Sequence, residues 1–421
     1  MPRRKKPLVV KEHEELTDLS TDELKGLKEF AQENQHDVPG NYRPVLQDRN
    51  GKLFAGNYVG IIETGKRTVL EILPKVDFVH DDEDKSETKR IFYSMLRTWR
   101  GFKSQAVFNE TQINAVRRFN MLEVFVHLFL NNLVMLTQRG IARHYQSVED
   151  NLPCLRGRIL FPQHIRENAS NRARFCVRYD EFSANRPANR LIHSTIDKLT
   201  GTVRQPRNQQ LLHQLRVSFS DISTSTDHHS DWNRHRVDRT IRHYDAVMQW
   251  VGLFLFNQGL TTYAGKHVNQ ALLFPMWEIF EDYVAASFRR HQGDYSVRKQ
   301  GPQEYLVTDG QERRVFAMKP DISLMSGNKP EFILDTKWKR VNAEDGDLKR
   351  GVHQADMYQM FVYGKKYCCR KVSLIYPKSQ EFDKTEEFRF DEALSLTCCP
   401  FDVTEPECSV KKIIRHLKNH A

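Results

Sequence analysis

The sequence predicts a multidomain chain of mixed α+β or α/β class in three parts. These are a β-rich N-terminal module with helices over 1–145, an Arg-rich and mainly helical connecting region over 146–262, and a C-terminal domain over 263–421 with a mixed central sheet flanked by helices. Three observations carry this reading. Turn dipeptides separate β-type runs between Tyr42 and Ile72, helical periodicity coincides with concentrated arginine between Leu155 and Val217, and an apolar helical stripe precedes a hairpin-like pattern from Val315 to Trp338. At roughly 150 residues per domain, 421 residues suggest two or three domains. Hydrophobic residues at 39% and charged residues at 28% are ordinary globular usage, which argues against a disordered or membrane-embedded chain.

The first element is a short helix after Ser20, whose hydroxyl and Glu23 stand at capping-box spacing ahead of Leu24, Leu27 and Phe30. Runs at Pro44–Gln47, Tyr58–Ile62 and Thr68–Ile72 then alternate with Asn50-Gly51 and Thr64-Gly65, which read as turns. Helices are predicted over Thr88–Trp99 and from about Ile113 to Arg139. The most apolar run, Phe119–Leu136, is interrupted by Glu123, His127, Asn131 and Asn132, which suits a buried core helix better than a bilayer span. The basic start, Met1–Pro7, has no long apolar stretch behind it, so no targeting segment is expected and a cytoplasmic protein without membrane contact is.

In the middle region, helices are predicted around Asn189–Leu199, Asn208–Val217 and Tyr244–Phe256, with a polar loop over Ser218–Ser230. Leu155 to Tyr244 holds sixteen basic residues, fifteen of them Arg, against eight acidic ones, so about +8 of the net +10 lies there. Guanidinium groups such as Arg156, Arg158 and Arg190 suit phosphate or carboxylate, so this face suits nucleic acid or an acidic protein partner. Of the seven cysteines, five fall near the C-terminus, where the adjacent pairs Cys368-Cys369 and Cys398-Cys399 lack metal-site spacing and are read as structural thiols. His228, His229, His235 and His243 fit no recognised zinc spacing and are read as surface histidines. Phosphate-binding loops of the Walker or dinucleotide type are absent from the sequence.

The last region carries chemistry. A helix over Ala271–Arg290 places Glu281 beside its apolar stripe, and the strands Val315–Leu324 and Phe332–Trp338 flank a turn at Ser326–Pro330. Asp335 and Lys337, two apart on a strand, project from one face, and Asp321 lies just before the turn on the neighbouring strand. Hard cations such as Mg²⁺ are held by one or two carboxylates plus water and substrate phosphate, and a nearby lysine can orient the attacking water and offset developing charge. The chemistry this implies is metal-dependent phosphodiester hydrolysis. A following helix sets Gln354 and Tyr358 on one face, as candidates for DNA or partner contact, and Val372–Tyr376 supplies a further strand.

Pro320-Asp321, then Asp335-Thr336-Lys337 after a spacing of 14, resembles the PD-(D/E)XK nuclease signature. Val59-Gly60-Ile61-Ile62, Leu70-Glu71-Ile72-Leu73-Pro74-Lys75-Val76, Leu155-Arg156-Gly157-Arg158-Ile159, Tyr179-Asp180-Glu181, Asn189-Arg190-Leu191-Ile192 and Phe280-Glu281 precede it in order. Together these are similar to the McrC family, the endonuclease subunit of the McrBC 5-methylcytosine restriction system. The resemblance implies a PD-(D/E)XK fold in the C-terminal domain and Mg²⁺-dependent cleavage of double-stranded DNA containing modified cytosine. It also implies a hexameric AAA+ GTPase partner of the McrB type, stimulated through the N-terminal part of the chain. By motif, Asp321 and Asp335 would hold metal, Lys337 would be the catalytic lysine, and Glu281 would match the family's helix glutamate. Two other readings stay open: a non-cutting adaptor that binds DNA and activates the motor, and a stand-alone structure-selective nuclease.

Overall fold

The structure is a computed structural model, which describes residues 7–33, 44–64, 69–75, 84–99, 119–235, 239–256, 268–291, 293–341 and 347–419. The chain forms two compact units, Met1–Met121 with Gly259–Ala421, and Leu122–Gln258. These units cut across the three consecutive segments drawn from the sequence.

The first unit opens with β1 (Leu8–Lys11), α1 (Thr21–Glu33), β2 (Leu46–Arg49), β3 (Lys52–Ala55), β4 (Tyr58–Thr64), β5 (Val69–Leu73) and α2 (Asp84–Leu96). The capping box at α1 forms: Ser20 N donates to Glu23 Oε2 at 2.8 Å and Glu23 N to Ser20 Oγ at 3.4 Å. Asn50 and Gly51, at φ of 53° and 86°, make the tight two-residue turn between β2 and β3. Gly65 of the expected Thr64-Gly65 turn lies outside the described residues, as does the stretch from Ile113 to Arg118. Gly60 sits at φ 148°, and a Cβ there would meet the Leu272 carbonyl oxygen at 1.9 Å, so the Val-Gly-Ile-Ile motif needs its glycine for close strand approach.

The second unit is built from α3 (Met121–Arg139), β6 (His144–Leu152), β7 (Arg158–Ile159), α4 (Phe161–Asn168), β8 (Phe175–Ser183), α5 (Pro187–Thr200), α6 (Pro206–Ser218), α7 (His228–Arg234) and α8 (Asp245–Phe256). Both α5 and α6 begin on a proline, whose missing N–H costs nothing in the first turn. Among the described residues, α3 alone is long and apolar enough to cross a membrane, yet most of it is buried inside the molecule. The polar residues that interrupt it are used internally: Glu123 Oε2 accepts from Asn208 Nδ2 at 2.7 Å, and His127 Nδ1 lies 2.8 Å from Asn208 Oδ1. The mainly helical expectation missed a three-stranded antiparallel sheet, ordered β6-β8-β7. Its strands are largely exposed, so they show none of the apolar alternation that marks a half-buried strand.

The chain returns to the first unit with β9 (Val268–Pro275), α9 (Met276–His291), β10 (Ser296–Lys299), β11 (Glu304–Thr308), β12 (Arg314–Met318), β13 (Ile322–Ser326), β14 (Lys329–Thr336), α10 (Gln354–Lys366), β15 (Lys371–Pro377), β16 (Glu386–Arg389), β17 (Ser395–Phe401) and α11 (Pro406–Asn419). The start of the expected helix over 271–290 is instead β9. It pairs antiparallel with β4 and completes a four-stranded sheet ordered β1-β5-β4-β9, so segments before and after the second unit build one sheet. The helix begins only after Pro275. The second sheet is mixed and six-stranded, ordered β10-β13-β14-β15-β17-β16, with β14, β15 and β17 parallel. Phe332–Thr336 are buried throughout, as a central strand covered on both faces requires. Ile333 of β14 packs with Met360 and Tyr363 of α10, while α9 and α11 pack against each other and other parts of the sheet.

Candidate active site

The expected strand from Val315 to Leu324 is broken at Lys319-Pro320-Asp321. Before the break β12 pairs with β11, and after it β13 pairs with β14. Proline has no N–H to give a ladder, which suits the change of partner. The register sets Ile322 opposite Leu334, so Asp321 stands beside Asp335 and Thr336 at the end of the hairpin away from its turn. This corrects the placement of Asp321 just before the turn, since all of β13 intervenes.

Thr336 locks the relationship: its backbone N and its Oγ1 donate to Asp321 Oδ2 at 2.8 and 2.7 Å. Asp335 shares its strand face with Ile333 and is only 2% exposed. Lys337 follows the strand, its backbone N held by the Ile375 carbonyl at 2.9 Å, and its Nζ reaches Asp335 Oδ2 at 2.5 Å. From α10, Gln359 accepts from Lys337 Nζ at 2.9 Å and donates to Asp335 Oδ1 at 3.3 Å. Asp356, one turn earlier, lies 3.9 Å from Lys337 Nζ and is paired with Lys339 at 3.0 Å.

Glu281 on α9 is buried and accepts from Gln300 Nε2 at 3.1 Å, with Lys299 Nζ at 3.4 Å. The backbone N of Gln300 donates to the Asp321 carbonyl at 2.9 Å, so this one residue ties the helix glutamate to the aspartate. Burial, then the charges of Asp335 and Glu281, push Asp321 up to about 7 against the pull of Thr336. Asp335 is also raised, by burial above all, with Lys337 opposing. Burial works against the Lys337 ammonium, but the Asp335 charge and hydrogen bond, followed by Asp356 and Asp321, outweigh it and raise its pKa.

The site thus crowds Asp321 and Asp335 against the Lys337 ammonium in a buried place. Among the described residues no group of three or more His, Cys, Asp or Glu is poised to hold a metal ion. Cys369, Cys398 and Cys399 are buried, and burial pushes the Cys369 and Cys398 thiols up to about 12. Asp321 and Asp335 fit a hard divalent cation instead, because such ions take one or two carboxylates and fill the remaining positions with water and phosphate. Their mutual repulsion is what a cation would relieve.

Gln354 and Tyr358 are not brought to this cluster. They hydrogen-bond to each other, and Tyr358 is 63% exposed. Gln359 is the α10 residue that hydrogen-bonds both Lys337 and Asp335. Its signal was the buried stripe of Asp356, Met360 and Tyr363, to which Gln359 belongs at helical spacing. Arg156 and Arg158 are exposed in the second unit. They flank Gly157, at φ 72°, where a Cβ would meet the Arg178 carbonyl oxygen at 2.4 Å, and the Arg156 guanidinium stacks 4.1 Å from the Tyr179 ring. Arg190 is engaged otherwise: Nε donates to Asp231 Oδ2 at 2.9 Å and Nη1 to the Asn185 carbonyl at 2.8 Å, inside that unit.

Residues 53–377 match the family model described as McrBC 5-methylcytosine restriction system component. A curated relative, the type IV methyl-directed restriction enzyme EcoKMcrBC of Escherichia coli (strain K12), is 21% identical over 291 residues, covering 65% of this chain and 80% of the relative. The fold is similar to a chain in a tetradecameric assembly of Thermococcus gammatolerans McrB AAA+ hexamers with bound McrC, with a TM-score of 0.75 at 19% identity, covering 99% of this chain and 100% of that one. A cryo-EM structure of the Thermococcus gammatolerans McrBC complex matches with a TM-score of 0.54 at 20% identity over 70% of this chain and 90% of that one.

Proposed function

Because this chain belongs to the family of McrBC 5-methylcytosine restriction system components, we propose that it is the McrC-type subunit, a Mg²⁺-dependent DNA endonuclease of PD-(D/E)XK type. The observation that carries this reading is the convergence of Asp321, Asp335 and Lys337 at one end of the β13–β14 hairpin. Asp321 and Asp335 would hold the cation, which when bound supplies positive charge to the scissile phosphate and lowers the pKa of water.

The chain's own residues do the rest. Lys337, kept protonated by its carboxylate neighbours, orients the attacking water and offsets charge on the phosphate oxygens. Gln359 fixes the lysine between α10 and β14, and Thr336 keeps the Asp321 carboxyl turned to the strand end. Glu281 and Gln300 brace the helix side, and burial excludes bulk water, which strengthens each of these interactions.

The partner is an McrB-like hexameric AAA+ GTPase whose hydrolysis this subunit stimulates, and the substrate is double-stranded DNA bearing modified cytosine. Protein contact suits the small sheet of the second unit and the segments that join its strands, where Tyr145, Leu155, Phe161, Ile165 and Phe182 are exposed in the same stretch as Arg156 and Arg158. Exposed aromatic and aliphatic side chains with arginine are the composition of interface cores. Cleavage of methylated plasmid by the complex reconstituted with its motor and GTP tests the reading. It should require Mg²⁺ and stop on chelation, and cleavage that persists in chelator would contradict it.

A further inference from the structure

The first turn of α10 carries another charged group to the candidate site. Asp356 stands in that turn, after the N-cap His353, where a carboxylate suits the positive end of a helix. That role needs no burial, yet Asp356 is 5% exposed. A carboxylate taken out of water is tolerated when cations and hydroxyls surround it, and its partners here come from β15 and from the residues that follow β14. Lys339 Nζ lies 3.3 and 3.0 Å from its two oxygens, Tyr376 Oη is 3.5 Å from Oδ2, and Lys337 Nζ is 3.9 Å from Oδ1.

Lys337 is therefore shared. Its Nζ meets Asp335 Oδ2 at 2.5 Å and Gln359 Oε1 at 2.9 Å, with Asp356 within 3.9 Å, and an ammonium has three donors with which to answer more than one acceptor. Against the cost of burial, the Asp335 charge and then that of Asp356 keep it protonated. The sharing matters because two positive groups contest Asp335. A hard cation takes carboxylate oxygens as ligands, and the ammonium already at Oδ2 competes for them. Whatever draws that ammonium away leaves Asp335 more available. Asp356 supplies such a pull, and Lys339 divides it: its Nζ pairs with Asp356, and its backbone N bonds to the Lys337 carbonyl at 2.9 Å.

We propose that Asp356 is a positioning residue, which shares the Lys337 ammonium with Asp335 and so governs how tightly Asp335 holds a divalent cation. The inference rests on the nuclease reading and deepens it. Asp356 acts through Lys337 and is not itself a ligand.

The test titrates the full chain with Mn²⁺, without DNA, nucleotide or partner, and counts the free ion by electron paramagnetic resonance. The site's own binding is the part that Asp335→Ala removes. Asp356→Asn keeps the size of the side chain and loses its charge, and it should weaken that binding about tenfold, the scale of coupling between residues in contact. Lys339→Met should do the opposite and tighten it about threefold, because the pull of Asp356 is then undivided. Damage to packing would weaken both, so opposite signs separate positioning from a structural role. In a Lys337→Met background the effect of Asp356→Asn should shrink below about twofold. Unchanged binding in folded Asp356→Asn, unchanged or weaker binding in Lys339→Met, or an undiminished loss without Lys337 would each overturn the proposal. If Asp356→Asn does not fold, Lys339→Met carries the test, at a side chain 42% exposed. A parent with no Asp335-dependent binding sinks the metal-dependent nuclease reading along with the proposal, whereas Asp335-dependent binding that ignores Asp356 sinks the proposal alone.

Discussion

The indole N–H of Trp338, the residue after Lys337, donates to Oε2 of Glu12 at 2.9 Å. Glu12 continues β1, with its backbone N bonded to the Leu73 carbonyl at 3.0 Å, and Trp338 packs on Phe280, next to Glu281, at 5.2 Å. The end of the candidate active-site strand is thus pinned to the N-terminal sheet and to the helix that carries Glu281.

Glu12 makes stability depend on pH in a defined direction. Its folded pKa, about 7, exceeds its ordinary value of 4.5, so its contribution is fully present below about pH 4.5 and is lost as pH rises through 7. Complete burial makes the penalty at pH 8 on the order of 3 kcal/mol. Glu12→Gln keeps an acceptor for Trp338 and cannot ionise. Its melting midpoint should match the parent's near pH 5 and exceed it increasingly up to pH 8, and a parallel pair of curves would refute the assignment.

Gln359 holds the Lys337 ammonium from the helix side. Hydrogen bonds to charged groups are worth about 1.5–3 kcal/mol, and about 1.4 kcal/mol is tenfold in rate. Gln359→Leu should therefore slow DNA cleavage about 10–100-fold. Single-turnover cleavage beside GTPase stimulation checks this, and stimulation should be unchanged.

Thr336→Val removes the hydroxyl that lowers the Asp321 pKa and keeps the backbone donor. The carboxyl then holds its proton to higher pH, and protons compete with metal for it. The Mg²⁺ concentration for half-maximal cleavage at pH 7 should rise severalfold, and the gap from the parent should narrow at pH 8.5.

Arg190→Ala should cost stability. It strips the partner from Asp231, a residue 5% exposed, and losing one member of such a pair costs roughly 3 kcal/mol. Arg156→Ala and Arg158→Ala, both exposed, should melt like the parent while weakening association with the motor. Thermal melts and co-sedimentation distinguish the two classes.

The contrast among these arginines shows what was legible in the sequence. The Arg-rich motifs were visible, but that Arg190 faces Asp231 across forty residues is a tertiary fact no local pattern carries. The capping box at Ser20 and the Asn50-Gly51 turn were readable because their chemistry is local. That Asp335 and Lys337 share a face was readable from a strand's two-residue period, whereas Asp321 was misplaced beside the turn because the change of strand partner at Pro320 has no local signal of its register. Gln300 was not readable, since a glutamine after a strand signals nothing until its backbone meets Asp321 and its side chain meets Glu281. The strand β9 was hidden by an apolar stripe that runs on into α9, and only Pro275 marks the change. The sheet of β6, β7 and β8 was hidden because its faces are solvated.

The central claim is that Asp335 and Lys337 cut DNA. The most direct measurement is cleavage of methylated plasmid by the complex reconstituted with the proposed GTPase partner, GTP and Mg²⁺, using Asp335→Ala and Lys337→Ala. Cleavage should fall by at least a thousandfold in both, while complex assembly and GTPase stimulation stay near the parent's level. Cleavage at the parent's rate by either folded variant would contradict the account.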